Sequence, residues 1–254
     1  MARSLIISLF LLAALPASAF AASVQDTVPT QNAATTRKAD NVYDQLVRVL
    51  DAAADRDVVF QRSLDDLKAA FITNDANWIS LEADHPGALD KTVAAMVPYL
   101  RRHEDRVIAQ LQSAMADLFA ANLTEQEARD AAAFFSSPLG RSFIGSITAN
   151  FTTRSLVKDA MINNGEGTVT PGAVQQDLVA SINAGIADLS PAEIAAINEQ
   201  VAGSSWGLKM QAVQGQVVAV RTQFANLPML PAEEKQMEEA VKKAMLEIVG
   251  SDRP

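Results

Sequence analysis

Apolar residues recur along this chain with the spacing of α-helices. From residue 40 onward they lie three or four positions apart, the period at which side chains share one face of a helix. The clearest stripes are Tyr43, Leu46, Val47, Leu50 and Ala53; Phe60, Leu64, Leu67 and Phe71; Val107, Ile108, Leu111, Met115, Leu118 and Phe119; and Met237, Val241, Ala244, Met245 and Ile248. Aromatic residues make up only 6% of the chain, and alanine and branched aliphatic residues are frequent. The pattern predicts an all-α fold of antiparallel helical hairpins packed as a bundle.

Breaks in the pattern predict where the helices end. Residues 73–87 lack a helical period, and we expect a connector whose Trp78, Ile79 and Leu81 fold inward. Pro98 lies inside a helical region that spans residues 90–122. Proline in a helix interior costs about 3 kcal/mol, so we expect a break or a kink there. A further helix is predicted over residues 140–164, with Phe143, Ile144, Ile147, Phe151 and either Val157 or Met161 buried.

The stretch from residue 123 to residue 140 predicts a helical hairpin. Thr124 and Glu127 have the spacing of a capping box, in which the hydroxyl and the carboxylate each accept from the other residue's amide. Pro138 ends this helix and can begin the next one, with Ser137 as its cap. A glycine after this corner leaves room for a second backbone. The predicted structural motif comprises Thr124, Glu127, Phe134, Phe135, Ser137, Pro138 and Gly140.

This motif resembles the core of a bacterial family, domain-of-unknown-function family 2059. The family motif typically reads Phe-Tyr-x-Ser-Pro-x-Gly-x-Lys after a Phe-Thr-x-x-Glu helix start, and the resemblance is best over residues 95–160. Two positions differ, because Phe135 stands where the family has Tyr and Ser142 stands where it has Lys. The resemblance implies a helical, exported protein, and no catalytic activity is established for the family.

A weaker copy of the stretch follows later in the chain. Residues 189–193 mirror residues 123–127 and carry a second capping-box pattern. Ser204–Gly207 mirrors Ser137–Gly140, but it is separated from its capping-box pattern by one residue more than in the first copy. Lys209 falls near the position of the family lysine that the first copy lacks. We therefore interpret the second half of the chain as a candidate degenerate repeat of the first.

The first residues predict export. Arg3, the apolar run Leu5–Leu15 and the small residues that follow have the form of a secretory signal peptide, with a cut after Ala19 or Ala21. The run is shorter than the ~20 residues that a membrane span needs, so we expect a periplasmic or secreted protein with no stable span after processing. The predicted divisions are a signal peptide (1–21), a disordered leader (22–38), an N-terminal helical half that carries the motif (39–164), a linker rich in glycine (165–172) and a C-terminal helical half (173–250).

The negative net charge of the chain disfavours some classes of partner. The chain has a formal net charge of −9 at pH 7 and a pI of about 4.7. Cleavage of the signal peptide removes Arg3 and leaves 20 basic against 30 acidic side chains, a net charge of −10. Nucleic acids and anionic membrane surfaces are therefore disfavoured as partners. The chain has no cysteine, so packing rather than disulfide bonds must stabilise the exported protein.

Residue types that perform catalysis or bind cofactors are sparse. The two histidines, His85 and His103, do not have the spacing of metal ligands, and we expect neither a zinc site nor a cofactor. Ser136 and Ser137 lack a nearby histidine that could act as a base. Residues 101–106 form a dense run of charges, which is typical of a solvated helix face. No catalytic, cofactor-binding or metal-binding residue is therefore predicted.

Two functions are compatible with this sequence. The first is a non-enzymatic periplasmic module that binds a protein, a peptide or an apolar ligand in a groove between hairpins, which the Met, Phe and Val side chains on helix faces favour. The alternative is a periplasmic hydrolase that uses buried carboxylates, with Glu127 or Glu104 as the best candidates. We favour binding, because the sequence contains no recognisable catalytic set.

Overall fold

All regular secondary structure in the described residues is helical. The computed structural model describes residues 41–162 and 168–250, and these form twelve α-helices and no strand. The helices are α1 (Val42–Ala53), α2 (Arg56–Asn74), α3 (Ala76–Asp84), α4 (Ala88–Asn122), α5 (Glu125–Ser136), α6 (Pro138–Ala149), α7 (Arg154–Ile162), α8 (Pro171–Ala187), α9 (Pro191–Ala202), α10 (Ser205–Ala212), α11 (Gln214–Ala225) and α12 (Pro231–Gly250). The predicted all-α class is confirmed. The predicted signal peptide, the leader and residues 165–167 of the linker lie outside the described residues.

Helix α4 is the longest element and packs against α1, α2, α3, α11 and α12. Two contacts fix the direction of α12 along it. Arg106 Nη1 donates to Glu233 Oε2 at 2.8 Å, near the start of α12. Thr92 Oγ1 lies 3.5 Å from Met245 Sδ, near the end of α12. The two helices are therefore antiparallel.

Buried side chains form two hydrophobic clusters, and α4 contributes to both. Its first half, from Leu89 to Leu100, packs with α2 and with Met237 of α12. Its second half, from Val107, belongs to a larger cluster that also contains Ile147 and Ile182. These two isoleucines lie on opposite sides of the predicted linker, so the two predicted halves share one core.

Pro98 does not break α4, which runs without interruption from residue 88 to residue 122. Of the predicted break or kink, the break is therefore wrong. Pro98 and Ala94, the residue one turn before it, are both exposed. Pro98 has no amide to donate to the carbonyl of Ala94. Because this carbonyl can be solvated instead, the cost of a proline inside the helix is lower.

The predicted connector over residues 73–87 contains a helix, α3, which begins after Asp75. The Asp75 carboxylate accepts from Asn77 N at 2.9 Å and so caps the helix. Trp78 is half-buried and its ring centroid lies 5.5 Å from that of Phe71. Ile79, which we expected to fold inward, is 48% exposed. The short helix directs one of these neighbouring side chains to α2 and the other to solvent.

The predicted helix over residues 140–164 is two helices, α6 and α7, separated by residues 150–153. Carboxylates from distant parts of the sequence stabilise the start of α7. Asp66 Oδ2 accepts from Thr153 N at 2.7 Å, and the Asp177 carboxylate accepts from Ser155 N and Leu156 N at 2.9 Å each. Among the residues expected to be buried here, Phe143, Ile144, Ile147, Phe151 and Val157 are buried.

We expect Pro98→Ala to raise the free energy of unfolding by about 1–3 kcal/mol, because alanine restores the missing amide donor and has the highest helix propensity. Denaturant unfolding measures the change. Pro228→Ala, in the segment between α11 and α12, is the matched control and should give no comparable gain. Equal stability of the Pro98→Ala variant and the parent would mean that the continuous helix is not the stable form.

Candidate functional site

The sequence motif forms a hairpin corner between α5 and α6. At the start of α5, Glu127 Oε2 accepts from Thr124 N at 2.8 Å and from Thr124 Oγ1 at 2.9 Å, while Glu127 N donates to Thr124 Oγ1 at 3.3 Å. These bonds complete the capping box. Tyr43 of α1 donates its hydroxyl to the carbonyl of Leu123 at 3.0 Å. The start of α5 is therefore held both locally and by another helix.

The corner itself is tight. Ser137 ends α5 and caps α6, and its Oγ accepts from Gly140 N at 3.1 Å. Pro138 occupies the first turn of α6, where no amide donor is missed. A Cβ atom at Gly140 would overlap the carbonyl oxygen of Phe134 and lie 2.7 Å from the Cα of Phe135. Only glycine fits this approach of the two helices.

Lys209 of α10 completes the environment of Glu127. Its Nζ lies 2.7 Å from Glu127 Oε2, the same oxygen that accepts the bonds of the capping box. The Lys209 ammonium, the amide of Thr124 and the hydroxyls of Thr124 and Ser205 lower the pKa of Glu127 to about 2. A carboxylate with such a pKa stays ionised at neutral pH, so it cannot serve there as a general acid.

Three aromatic rings pack together between α5 and α10. The centroids of Phe134 and Phe135 are 5.0 Å apart, and Trp206 of α10 lies 5.5 Å and 5.8 Å from them. All three side chains are buried. The spacings suit tilted and edge-to-face aromatic contacts, which stabilise beyond the area that they bury. The motif of the first corner thus binds the second half of the chain, and this contact could not be predicted from the local pattern.

The charged run at residues 101–106 is not a wholly solvated face, so that expectation is wrong. His103 and Glu104 are each 2% exposed. Arg106 Nη2 lies 3.0 Å from His103 Nδ1, and Arg101 Nη1 donates to Glu104 Oε2 at 3.0 Å. The helix turns every third or fourth side chain towards its neighbours, so a run of six charged residues must direct some of them inward.

Glu104 lies near a shallow, open cleft of about 430 Å³ that Asp55, Arg56, Asp57, Arg101 and Asp105 line. Burial raises the pKa of Glu104, although the neighbouring Arg101 and Arg56 act in the opposite direction. The two arginines also bind the acids of the cleft: Arg101 Nη2 lies 2.6 Å from Asp57 Oδ1, and Arg56 Nη2 lies 2.8 Å from Asp105 Oδ1.

Glu104 and Glu127 therefore belong to separate charge clusters, one between α2 and α4 and the other between α5 and α10. The geometry does not pair them as acid and base. The described residues include no group of three or more His, Cys, Asp or Glu side chains placed to hold a metal ion. Over the same ranges, no helix combines the length and apolar character that crossing a bilayer requires.

Sequence reasoning missed Asp66 and Asp177, which anchor the start of α7. Asp177 is 1% exposed, and desolvation raises its pKa, with a smaller contribution in the same direction from the charge of Asp66. Asp66 also binds Arg154 Nε at 3.1 Å. A lone aspartate in a helical stripe gives no local signal for such contacts. The position of Asp177 on the same face of α8 as the buried apolar residues could have indicated that its carboxylate is buried.

Comparison with known proteins gives one match. The sequence model of a family described as "uncharacterized protein conserved in bacteria (DUF2059)" matches residues 109–148. This segment contains the last 14 residues of α4, all of α5 and most of α6, and therefore the whole first corner. The resemblance predicted from the motif is confirmed over this segment. Searches of curated proteins and of solved structures gave no match.

We expect Gly140→Ala to lower the free energy of unfolding by about 1–3 kcal/mol or more, because the added methyl group meets backbone atoms that cannot move aside without separating the helices. Thermal or denaturant unfolding measures the loss. Gly145→Ala in the same helix is the control, since nothing lies within 4 Å of its added Cβ. The control should gain about 0.5–1 kcal/mol from helix propensity; equal effects at both positions would refute the steric argument.

We expect Glu127→Gln to be less stable than the parent at pH 7 and to approach it as the pH falls. The folded-state pKa of about 2 lies below the ordinary value of 4.5. The carboxylate therefore contributes stability above pH 4.5, and this contribution is lost between about pH 4.5 and pH 2. Unfolding curves across this range test the prediction. Glu125→Gln, in the same helical turn, is the matched control: Glu125 is 67% exposed and pairs with Arg129 at the surface, so loss of this pair should change stability little.

Proposed function

We propose that the protein is an exported, non-enzymatic helical module that binds a protein, a peptide or an apolar ligand. The observation that carries this proposal is a set of exposed aliphatic side chains around the first turns of α4. Ile72 and Ile79 are 47% and 48% exposed, and Leu246 and Val249 are 65% and 53% exposed. We call these four side chains the apolar end.

Contacts between the helices place parts of α2, α3 and α12 beside the first turns of α4. Glu82 of α3 accepts from Gly87 N at 2.6 Å and from Leu89 N at 2.9 Å, so α3 adjoins the start of α4. Lys68 of α2 lies 3.2 Å from Asp90 in the same turn. On another side of α4, the contact between Thr92 and Met245 places the last turns of α12 beside these residues.

Exposed aliphatic residues that occur singly are ordinary on a protein surface. Here they come from α2, α3 and α12, three helices that contact the first turns of α4. Trp78, next to Ile79 in the sequence, is half-buried. Apolar side chains that several elements present at one place are a common feature of interaction sites. The apolar end thus offers a partner or ligand apolar contact area without a rearrangement of the core.

Export is the second part of the proposal. Its support is the basic start, the apolar run and the small residues at Ala19 and Ala21. The segment match at residues 109–148 adds to this support, since the resemblance to that family implies export.

The hydrolase alternative has one supporting observation, the raised pKa of Glu104 beside the charged cleft. A raised pKa makes a carboxyl a better candidate for a general acid. We favour binding, because Glu104 is 2% exposed and because Asp57 and Asp105 at the cleft are each bound by an arginine. Glu127, the other candidate, is held ionised by its cap and by Lys209.

We expect the processed protein to retain an envelope component or an apolar fluorescent probe through the apolar end. The bait is the protein recovered from the periplasm, and an N-terminus at Phe20 or Ala22 checks the export proposal. The pair Leu246→Ser and Val249→Ser should weaken binding about tenfold or more, because two aliphatic side chains leave the contact. Equilibrium binding to the immobilised protein gives the change.

The matched control carries Val179→Ser and Leu208→Ser, which are 40% and 59% exposed on α8 and α10. It should bind as the parent does. If both double variants lose binding equally, the contact is unspecific and the apolar end is not the site. Retention of full affinity by the Leu246 and Val249 variant would also reject the proposal.

A further inference from the structure

The corner between α9 and α10 repeats the corner between α5 and α6 in its capping bonds. Ser190 and Glu193 form a second capping box, with Ser190 N donating to Glu193 Oε2 at 2.9 Å. Helices α5 and α9 each contain 12 residues. At the second corner, Ser204 Oγ accepts from Gly207 N at 3.0 Å, as Ser137 Oγ does from its glycine. The same four polar roles therefore recur in the same order.

A steric feature of the two corners also recurs. A Cβ atom at Gly207 would overlap the carbonyl oxygen of Val201, and one at Gly140 would overlap that of Phe134. In both cases the carbonyl belongs to the residue six positions earlier. A serine cap does not require glycine three residues later, so this close approach is independent of the capping pattern. Short capping signals that recur by chance do not account for it.

Contacts between the two corners are reciprocal. Lys209, two residues after Gly207, binds Glu127 in the capping box of the first corner at 2.7 Å. Ser142 is two residues after Gly140, and its Oγ donates to Glu193 Oε1 in the capping box of the second corner at 3.2 Å. Each corner therefore uses the equivalent position to reach the equivalent glutamate of the other. Exchange of this kind is the property of a contact between like units related by a two-fold axis.

We infer that α5–α6 and α9–α10 are two copies of one hairpin, which pair with each other through a homotypic surface about an approximate two-fold axis. The chain is thus a dimer of this hairpin within one polypeptide. Glu127 and Glu193 are the recognition residues of the pairing, and positions 142 and 209 supply the donors that reach them. The first copy uses a hydroxyl and the second an ammonium.

The surroundings explain why the copies have diverged. The first hairpin packs against α1 and α8, and Ala128, Ala131, Ala132 and Phe135 of α5 are buried. In α9 only Ile197 is buried among residues whose side chains are described, and Asn198, Glu199 and Gln200 are exposed. The second hairpin lies at the periphery, so its outer face has become polar while the corner and the pairing surface have kept their form.

Equivalence of the two pairing positions is tested by moving the cation from one to the other. Lys209→Ser removes the ion pair with Glu127, and the unfolding equilibrium constant should rise about two- to fivefold, as for a partly exposed ion pair. Addition of Ser142→Lys to this variant places a cation opposite Glu193. We expect it to restore the equilibrium constant to within about twofold of the parent, and 1 M salt should abolish the restoration.

The control repeats Lys209→Ser, with and without Ser142→Lys, in a protein that carries Glu193→Gln. There the added lysine should restore nothing. Positions 142 and 209 are both accessible, and far-UV circular dichroism confirms that each variant is folded. Absence of restoration in the folded double variant would overturn the inference, and so would a restoration that does not depend on Glu193.

Discussion

This structure depends on hydrogen-bond acceptors for the amides at the start of each helix. The first four amides of an α-helix have no acceptor within the helix, and the described residues form twelve helices. Side-chain oxygens supply the missing acceptors: Asn41 at α1, Asp75 at α3, Thr124 at α5 and Ser190 at α9 do so locally. Since a negative charge is favoured at a helix N-terminus, several of the acidic residues stabilise the fold by their position rather than serving solubility alone.

Local caps could be predicted from the sequence, because their partners are three residues apart. The boxes at Thr124 and Ser190 are examples. Caps supplied from another helix could not: Asp66 lies 87 residues from Thr153, and Asp177 lies 21 residues from Leu156. The split between α6 and α7 was missed for the same reason, since the acids that stabilise the start of α7 are not its neighbours in the sequence. Periodicity predicts which side chains are apolar partners, but it does not predict which distant acid replaces a missing acceptor.

The site was predictable to a similar extent. The motif from Thr124 to Gly140 gave the first corner, including the room that Gly140 provides. It did not give Lys209 or Trp206, which come from the second half of the chain and bind the same corner. The burial of Glu104 was also missed, because a run of charges looks solvated unless the neighbouring helices are known. These failures concern contacts between elements, whereas the helices of the corner itself, α5 and the start of α6, were close to their predictions.

These structural roles bear on function. General acid–base chemistry needs carboxyl groups that can exchange protons with a substrate, but Glu127 is held ionised by the cap and Lys209, while Glu104 is enclosed beside Arg101. Apolar side chains at the end of the bundle have no comparable internal role, because they point away from the core that their own helices form. Evolution can therefore change Leu246 or Ile79 with little effect on the fold, whereas a change at Glu127 also alters the contact between the hairpins. A surface that does not stabilise the fold is the part of this molecule on which selection for binding can act most freely.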